Sequence, residues 1–378
     1  MRLITGNNPT LGSTIRVGIL GAGGVAGLHA QALKSVPEID LVGVADVDAL
    51  KARRLAERSN ARASFTSLDE MLEVAKPDAI HVLLPPEHHA RFAVQCMAGG
   101  AHVLVEKPMC ISESECRDIE AASARYGRVA GVNHNVTFSP AFVQLLDVVR
   151  SRRLGAIQHV TVFWSVPFGL NTFSAPLYRS QGPGAVILET GPHPLSLVVR
   201  LLGQARSATA LVSAETQSEP DTWQVGMECE RGTAQCFIAI GRPFMDMRVH
   251  VIGEDGTAMA DLTLGYVAVS ENTSYSALFY QFREALDLAR SIAGTAVRGF
   301  VDRLRRIPQG GATEDAGLIM RASLNNFYAS LRAGVEPRAS MKEGLAVVRS
   351  CTQIIAAGTS AAVKEKEEAT WPVATACS

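Results

Sequence analysis

The sequence lacks an excess of either charge: 36 Lys and Arg stand against 37 Asp and Glu, a formal net charge of −1. That balance leaves no electrostatic footprint for a nucleic-acid backbone. A cysteine framework is lacking too. The seven cysteines are odd in number and scattered, without a CxxC pair or a His-rich companion cluster. They exclude a disulfide scaffold and a zinc site as organising devices, and they suit a reducing, cytoplasmic compartment. No apolar run approaches the roughly 18 residues of a membrane span. The apolar stretch near the start, IRVGILGAGGVAGLHA, is cut by glycines, so a signal peptide is not expected either. The N-x-[ST] matches at Asn135 and Asn272 then carry no glycosylation. No repeat of solenoid period is visible.

What is present begins with length. A chain of 378 residues exceeds one compact core and predicts two domains. Residues 1–136 have a βα rhythm, with strands expected over Ile15 to Leu20, Asp40 to Ala45, Ala79 to Leu84, His102 to Val105 and Arg128 to Val132, and helices between them. Such alternation implies a parallel sheet covered on both faces. Within 137–378 the texture changes. Runs such as IQHVTVFWSV, SATALVSAET, WQVGMECE, GTAQCFIAI and MRVHVIGEDG, split by short turns, read as one large open, mainly antiparallel sheet. Helices return after Tyr275, first a basic amphipathic segment from Leu278 to Arg306, read as a packing helix rather than a membrane-surface one. The fold class is α/β, a Rossmann-type domain followed by an α+β domain.

The first strand runs into GAGGVAG and then a helix, the strand-turn-helix setting in which a G-x-G-x-x-A loop cradles a pyrophosphate. Gly21 makes the tight turn, Gly23 lets backbone approach the phosphates, and small Ala26 lets helix pack on strand, with Gly24 and Val25 between. Asp46 ends the second strand, in register to accept hydrogen bonds from an adenosine ribose and to repel a 2′-phosphate. NAD is therefore expected over NADP, with Arg53 and Arg54 a turn further on as the contrary feature. A ligand-free glycine turn would not need that acid.

The third strand ends in LPPEHH, which places Leu84, Pro85 and His89 at the carboxyl edge where parallel sheets bind ligands; His88 reads as surface. The fourth ends in HVLVEKPM, where Glu106, Lys107 and Pro108 follow a buried run. A solvated salt bridge is the ordinary reading of such a pair. On this edge, however, an ammonium at Lys107 can hydrogen-bond a substrate oxygen and stabilise charge during hydride transfer. In the second domain Glu189 and His193 stand at i, i+4. Spacing puts them one turn apart on one helical face, where the carboxylate would orient the imidazole and raise its basicity for general-base work.

In their order these residues resemble the Gfo/Idh/MocA oxidoreductases, the glucose-fructose oxidoreductase and inositol dehydrogenase relatives. The resemblance rests on the glycine loop, Asp46, Pro85 to His89, Glu106 to Pro108, Tyr178, Arg179, Gly182, Gly184, Glu189, Gly191, His193 and Gly203. It continues with GEDGT from Gly253 to Thr257, and with Asn326, Phe327, Gly334, Pro337 and Gly344. It implies hydride transfer between a nicotinamide and a secondary alcohol of a sugar, inositol or nucleotide sugar, with the open sheet commonly making a homo-oligomer, dimer or tetramer. Lys107 would hold the reacting hydroxyl and His193 take its proton, with Glu189 beside them. Asn135 would lie near the nicotinamide, and Tyr178 and Arg179 beside substrate or cofactor. His134, Arg179 and Glu189 point to a polar, polyhydroxylated or anionic small molecule. Two positions depart from the family: Glu189 stands where an Asp is usual, and Ser196 where a second Asp is often found. A non-catalytic NAD(H)-binding regulator on the same fold is the alternative those departures leave open.

Overall fold

The computed structural model describes residues 12–167, 184–213, 222–271 and 315–369, together with parts of 282–297. Tyr178 and Arg179 lie outside the described residues, as does much of the basic segment.

Six strands form the first sheet: β1 (Ile15–Leu20), β2 (Ile39–Ala45), β3 (Ser64–Phe65), β4 (Ala79–Val82), β5 (His102–Val105) and β6 (Ala130–Val132). Their order is β3-β2-β1-β4-β5-β6, and every pair is parallel. The order in which successive strands are added reverses between β1 and β4, which opens a crevice at their carboxyl ends. Helices α1 (Ala26–Leu33), α2 (Ala49–Ser59), α3 (Pro86–Ala98) and α4 (Glu113–Tyr126) connect the strands. Because side chains alternate across a strand, Val103 and Val105 enter one core while Leu104 enters the other. Strands buried on both faces read as continuous apolar runs.

β3 was not visible in the sequence, since two residues give no periodicity. The strand expected to reach Leu84 stops at Val82, where the chain turns toward Pro85 and Pro86, which donate no N–H to a ladder.

After α5 (Pro140–Arg150) comes β7 (Ile157–Val166), then α6 (Ala185–Glu189), α7 (Pro192–Leu202), and strands β8 (Ala205–Ser213), β9 (Thr222–Cys229), β10 (Gly232–Ile240), β11 (Asp246–Gly253), β12 (Gly256–Asp261) and β13 (Tyr266–Glu271). The second sheet runs β13-β12-β11-β7-β10-β9-β8. It is antiparallel except where β7 and β10 pair in parallel. On β7, Val160, Val162 and Trp164 point into the core with α7 and the C-terminal helix. The alternate row, Thr161 and Phe163, is half-buried, and Phe163 stacks on Phe237 at 4.7 Å on that outer face.

Two C-terminal helices tie the halves together: α8 (Asp315–Ala333) and α9 (Met341–Ala369). Met320, Leu324, Phe327, Tyr328 and Leu331 of α8 join the core formed by β1 and α1, so the division expected at residue 136 is crossed by this return. Helix α9 fits against both sheets through small residues. A Cβ at Gly344 would come within 2.5 Å of Met109 Sδ, and one at Gly358 within 2.4 Å of a Trp223 ring carbon. Among the described residues no helix is long and apolar enough to cross a membrane.

Candidate active site

The glycine loop leaves β1 at Gly21, whose φ of +98° and whose nearness to Leu83 O (2.4 Å from an added Cβ) admit only glycine. A Cβ at Gly23 would meet nothing within 4 Å, so the backbone there stands beside open space. Asp46 braces the loop from the tip of β2. Its Oδ2 accepts from Ala22 N–H at 2.7 Å and its Oδ1 from Asp48 N–H at 2.8 Å. Small, buried Ala26 seats α1 on the sheet.

His89, on α3, is buried and lies between two strand ends. Its Nδ1 is 2.8 Å from Pro108 O and its Nε2 2.7 Å from Leu84 O; a neutral ring donates to one of the two carbonyls and lies between the β4 and β5 edges. Burial pushes its pKa down, against the pull of the two carbonyls. His88 is exposed.

Glu106 is buried at 7% exposure, and its carboxylate faces inward. It accepts from Lys107 N–H at 2.9 Å and from Asn133 Nδ2, and it meets His29 Nε2 at 2.8 Å. Burial alone would raise its pKa. The His29 and Asn133 contacts and the Lys107 charge outweigh that and hold it at about 2. A core strand ends in two charges here because the first is a buried anchor and only the second reaches the cleft. The Lys107–Pro108 peptide is cis. Lys107 Nζ extends across to the second domain, 2.8 Å from the Glu189 carbonyl oxygen and 3.5 Å from its Oε1.

The expected single helix through Glu189 and His193 is broken. α6 stops at Glu189, Thr190 and Gly191 intervene, and α7 starts at Pro192. Pro192 and Pro194 donate no N–H to a helical ladder. At Gly191 a Cβ would lie 2.3 Å from Ile187 O, so the break packs too tightly for any larger residue. Glu189 consequently turns to Lys107, and the predicted carboxylate support of His193 is not formed. The His193 ring stacks on Trp164 instead, 5.6 Å between centroids and 15° between planes. Its pKa is pushed down to about 3, first by burial and then by the Lys107 charge. The expected gain in basicity is thus reversed. Ser196 donates to His193 O at 2.7 Å, which fixes the backbone beneath the ring.

His134, expected beside the substrate, is held on one side by the last helix. Its Nδ1 is 3.0 Å from Glu343 Oε1, and Glu343 pairs with Arg200 as well, so the ring is engaged by α9. It remains near enough to His193 to lower that ring's pKa. Asn135 opens a short 3₁₀ turn, Asn135–Phe138.

Four polar atoms near this junction are buried without a hydrogen-bond partner among the described residues: His193 Nδ1, Thr190 Oγ1, Asn135 Oδ1 and Trp164 Nε1. Native interiors rarely leave such atoms unmatched, and unmatched ones cluster where a ligand completes the set. Together with open space above Gly23 and a fixed carboxylate at Asp46, the residues present fit a dinucleotide. Among the described residues no three His, Cys, Asp or Glu side chains group as metal ligands.

The structure thus brings Lys107, Glu189 and His193 together. Sequence reasoning missed His29, Asn133, Thr190 and Trp164. The first had a signal, a lone histidine among the small and apolar residues of α1.

The chain matches the model of an oxidoreductase family with an NAD-binding Rossmann fold over residues 15–134, and that of the GFO/IDH/MocA C-terminal domain over residues 142–259. It belongs to the Gfo/Idh/MocA oxidoreductase family. Among curated relatives, the rhizopine catabolism protein MocA of Rhizobium meliloti is 25% identical over 61% of this chain and 72% of that protein. The D-glucoside 3-dehydrogenase of Escherichia coli is 27% identical over 50% of this chain and 55% of its own length; the match spans about half of that enzyme. Among solved structures, the WlbA dehydrogenase of Bordetella pertussis, in complex with NADH and UDP-GlcNAcA, shares the fold. Its TM-score is 0.74 at 20% identity, covering 93% of this chain and 98% of that one.

Proposed function

We propose that the protein is an NAD-dependent dehydrogenase or reductase acting on a secondary alcohol or ketone of a polyhydroxylated, sugar-like small molecule. The observation that carries this reading is the reach of Lys107 Nζ from the first domain to Glu189 of the second, close enough to His193 for its charge to lower that ring's pKa, at the carboxyl edge of a dinucleotide-binding sheet. Relatives named for rhizopine catabolism and glucoside oxidation support the substrate class.

Gly21, Gly23, Gly24, Val25 and Ala26 would hold the pyrophosphate, Asp46 the adenosine ribose, and Asn135 the nicotinamide end. A carboxylate held by two backbone amides cannot swing away from a 2′-phosphate, which favours NAD over NADP. Bound nicotinamide supplies the hydride acceptor or donor. Lys107 donates a hydrogen bond to the reacting oxygen and stabilises its negative charge. His193, neutral at working pH because its pKa is held low, presents a lone pair to the hydroxyl proton. An alcohol losing hydride becomes a far stronger acid, so a weak base suffices. Glu189 holds the ammonium on its bearing through its backbone carbonyl. The half-buried outer face around Phe163 and Phe237 is the surface for a homo-oligomer. The six described cysteines, all free and buried, support a reducing, cytoplasmic setting.

The test is nicotinamide absorbance with NAD or NADP and a panel of inositols, aldoses, sugar acids and nucleotide sugars. Turnover with NAD on one class, lost in Lys107→Ala, is expected. NAD binding without turnover on any class would overturn the reading.

A further inference from the structure

Behind Glu106 a line of buried polar side chains crosses the first sheet. His29 Nε2 meets Glu106 Oε1 at 2.8 Å, His29 Nδ1 meets His81 Nδ1 at 2.9 Å, and His81 Nε2 meets the Tyr328 hydroxyl at 2.8 Å. His29, His81 and Tyr328 are each 0% exposed. They come from α1, β4 and α8, three elements far apart in sequence. Nothing in the proposed chemistry touches any of them, yet burying three such groups costs several kcal/mol unless each is paired.

The chemistry of each contact fixes its direction. An ionised carboxylate only accepts, so His29 must carry its proton on Nε2. A neutral His29 then accepts at Nδ1, and His81 must donate from its own Nδ1. His81 Nε2 is left as acceptor, and the Tyr328 O–H donates to it. Every donor in the chain points toward Glu106. The competing arrangement, an imidazolium at His29, would reverse the last two bonds. It would also place a second charge in a dry interior where Lys107 already balances the carboxylate. Burial pushes the His81 pKa well down and that of Tyr328 up, so both stay neutral.

We propose that Tyr328, His81 and His29 are positioning residues, a one-way hydrogen-bond chain that holds the Glu106 carboxylate and through it the backbone of Lys107. Asn133 completes the grip. Its Nδ2 donates to Glu106, and its Oδ1 accepts from Ser323 Oγ at 2.8 Å, so α8 steadies the carboxylate by two routes. The effect on turnover rests on the proposed role of Lys107; the hydrogen-bond order does not.

Two measurements on the full chain test it. Side-chain ¹⁵N spectra of the wild type should show His29 protonated at Nε2 and His81 at Nδ1. An Nε2-protonated His81, or an imidazolium at His29, overturns the chain. In Tyr328→Phe, which removes one oxygen, the Lys107 amide should exchange roughly tenfold faster while amides of β7 to β13 keep their rates. His81→Phe should give the larger change. Substrate KM should hold and kcat fall several-fold, the signature of a lost alignment rather than lost binding. Unchanged Lys107 exchange in both variants, or acceleration across the whole molecule, overturns the positioning role. Faster Lys107 exchange in a protein that never turns over a sugar would instead leave the chain standing and remove the dehydrogenase reading.

Discussion

Lys107 and His193 come from two domains that support them in opposite ways. Behind Lys107 lies a polar seam in which His29, Asn133 and the Lys107 amide all converge on one carboxylate. Behind His193 lies a dry wall, Trp164 backed by the aliphatic core of β7 and α7, with His193 Nδ1 and Thr190 Oγ1 unmatched among the described residues. The first side is complete as it stands, and the second is complete only with a ligand. A dehydrogenase has use for both: one group placed before substrate arrives, and one whose hydrogen bonds form during binding and reaction.

The contrast is broken most severely by removing its charged member. Lys107→Ala should lower kcat by roughly 10²- to 10³-fold, the scale for loss of a preorganised donor to a developing oxyanion. Its thermal midpoint should stay close to wild type, since Lys107 lies at a cleft edge. The nicotinamide absorbance assay and a melting curve read the two separately.

Next in size is the seam itself. Glu106→Gln puts an amide N–H where at least one donor expects an acceptor, and should cost about 3 kcal/mol of stability by urea denaturation, as breaking one partner of a buried charged set does. An isosteric change at Ser196, on the dry side, should cost about 1 kcal/mol or less, because it removes one neutral hydrogen bond.

Acid should load the first region more heavily, because it holds three depressed histidines against His193 on the cleft side of the second. His81, His89 and His102 of the first domain all have pKa values pushed below the ordinary 6.5, burial being the largest cause in each, with His102 at about 4. His102 Nδ1 accepts from Val129 N–H, so protonation breaks a backbone contact. Groups with depressed folded pKa bind protons more readily when unfolded. Their stability is therefore full above pH 6.5 and lost as pH falls toward 4. Glu106 keeps its own contribution until lower pH, since its folded pKa is about 2. Hydrogen exchange in β1, β4 and β5 should rise in this window before the fluorescence of Trp164 and Trp223, both in the second sheet, changes.

Legibility followed the same divide. The glycine loop, Asp46 and the βα order were readable because they depend on local geometry that few residues satisfy. The edge position of Lys107 followed from them. Glu189 and His193 were read as a helical pair, but Glu189 turns to Lys107 and the His193 ring stacks on Trp164. Spacing of four measures a continuous helix, and Pro192 with Gly191 ends that continuity. The role of Glu106 was invisible from its own stretch because its partners stand at residues 29 and 133, brought near only by sheet order. His134 looked available for the same reason: Glu343, which holds it, is supplied by the last helix.

The smallest expected effect concerns the residue on which sequence and structure disagree most. If Glu189 oriented His193, as the i, i+4 spacing proposed, Glu189→Gln would misplace the base and reduce kcat by about 10²-fold or more. In the folded chain the shorter contact to Lys107 comes from the Glu189 carbonyl at 2.8 Å, with the carboxylate at 3.5 Å, and the pair is partly exposed, so screening weakens it. The backbone contact survives the substitution. Glu189→Gln should therefore lower kcat less than about tenfold and move the His193 titration little, because that shift comes from burial and Lys107. Proton resonances of the imidazole followed against pH, beside steady-state rates, decide between the two. A large rate loss with an altered His193 titration would restore the carboxylate-imidazole pair, and the completed side of the cleft would then be His193 rather than Lys107.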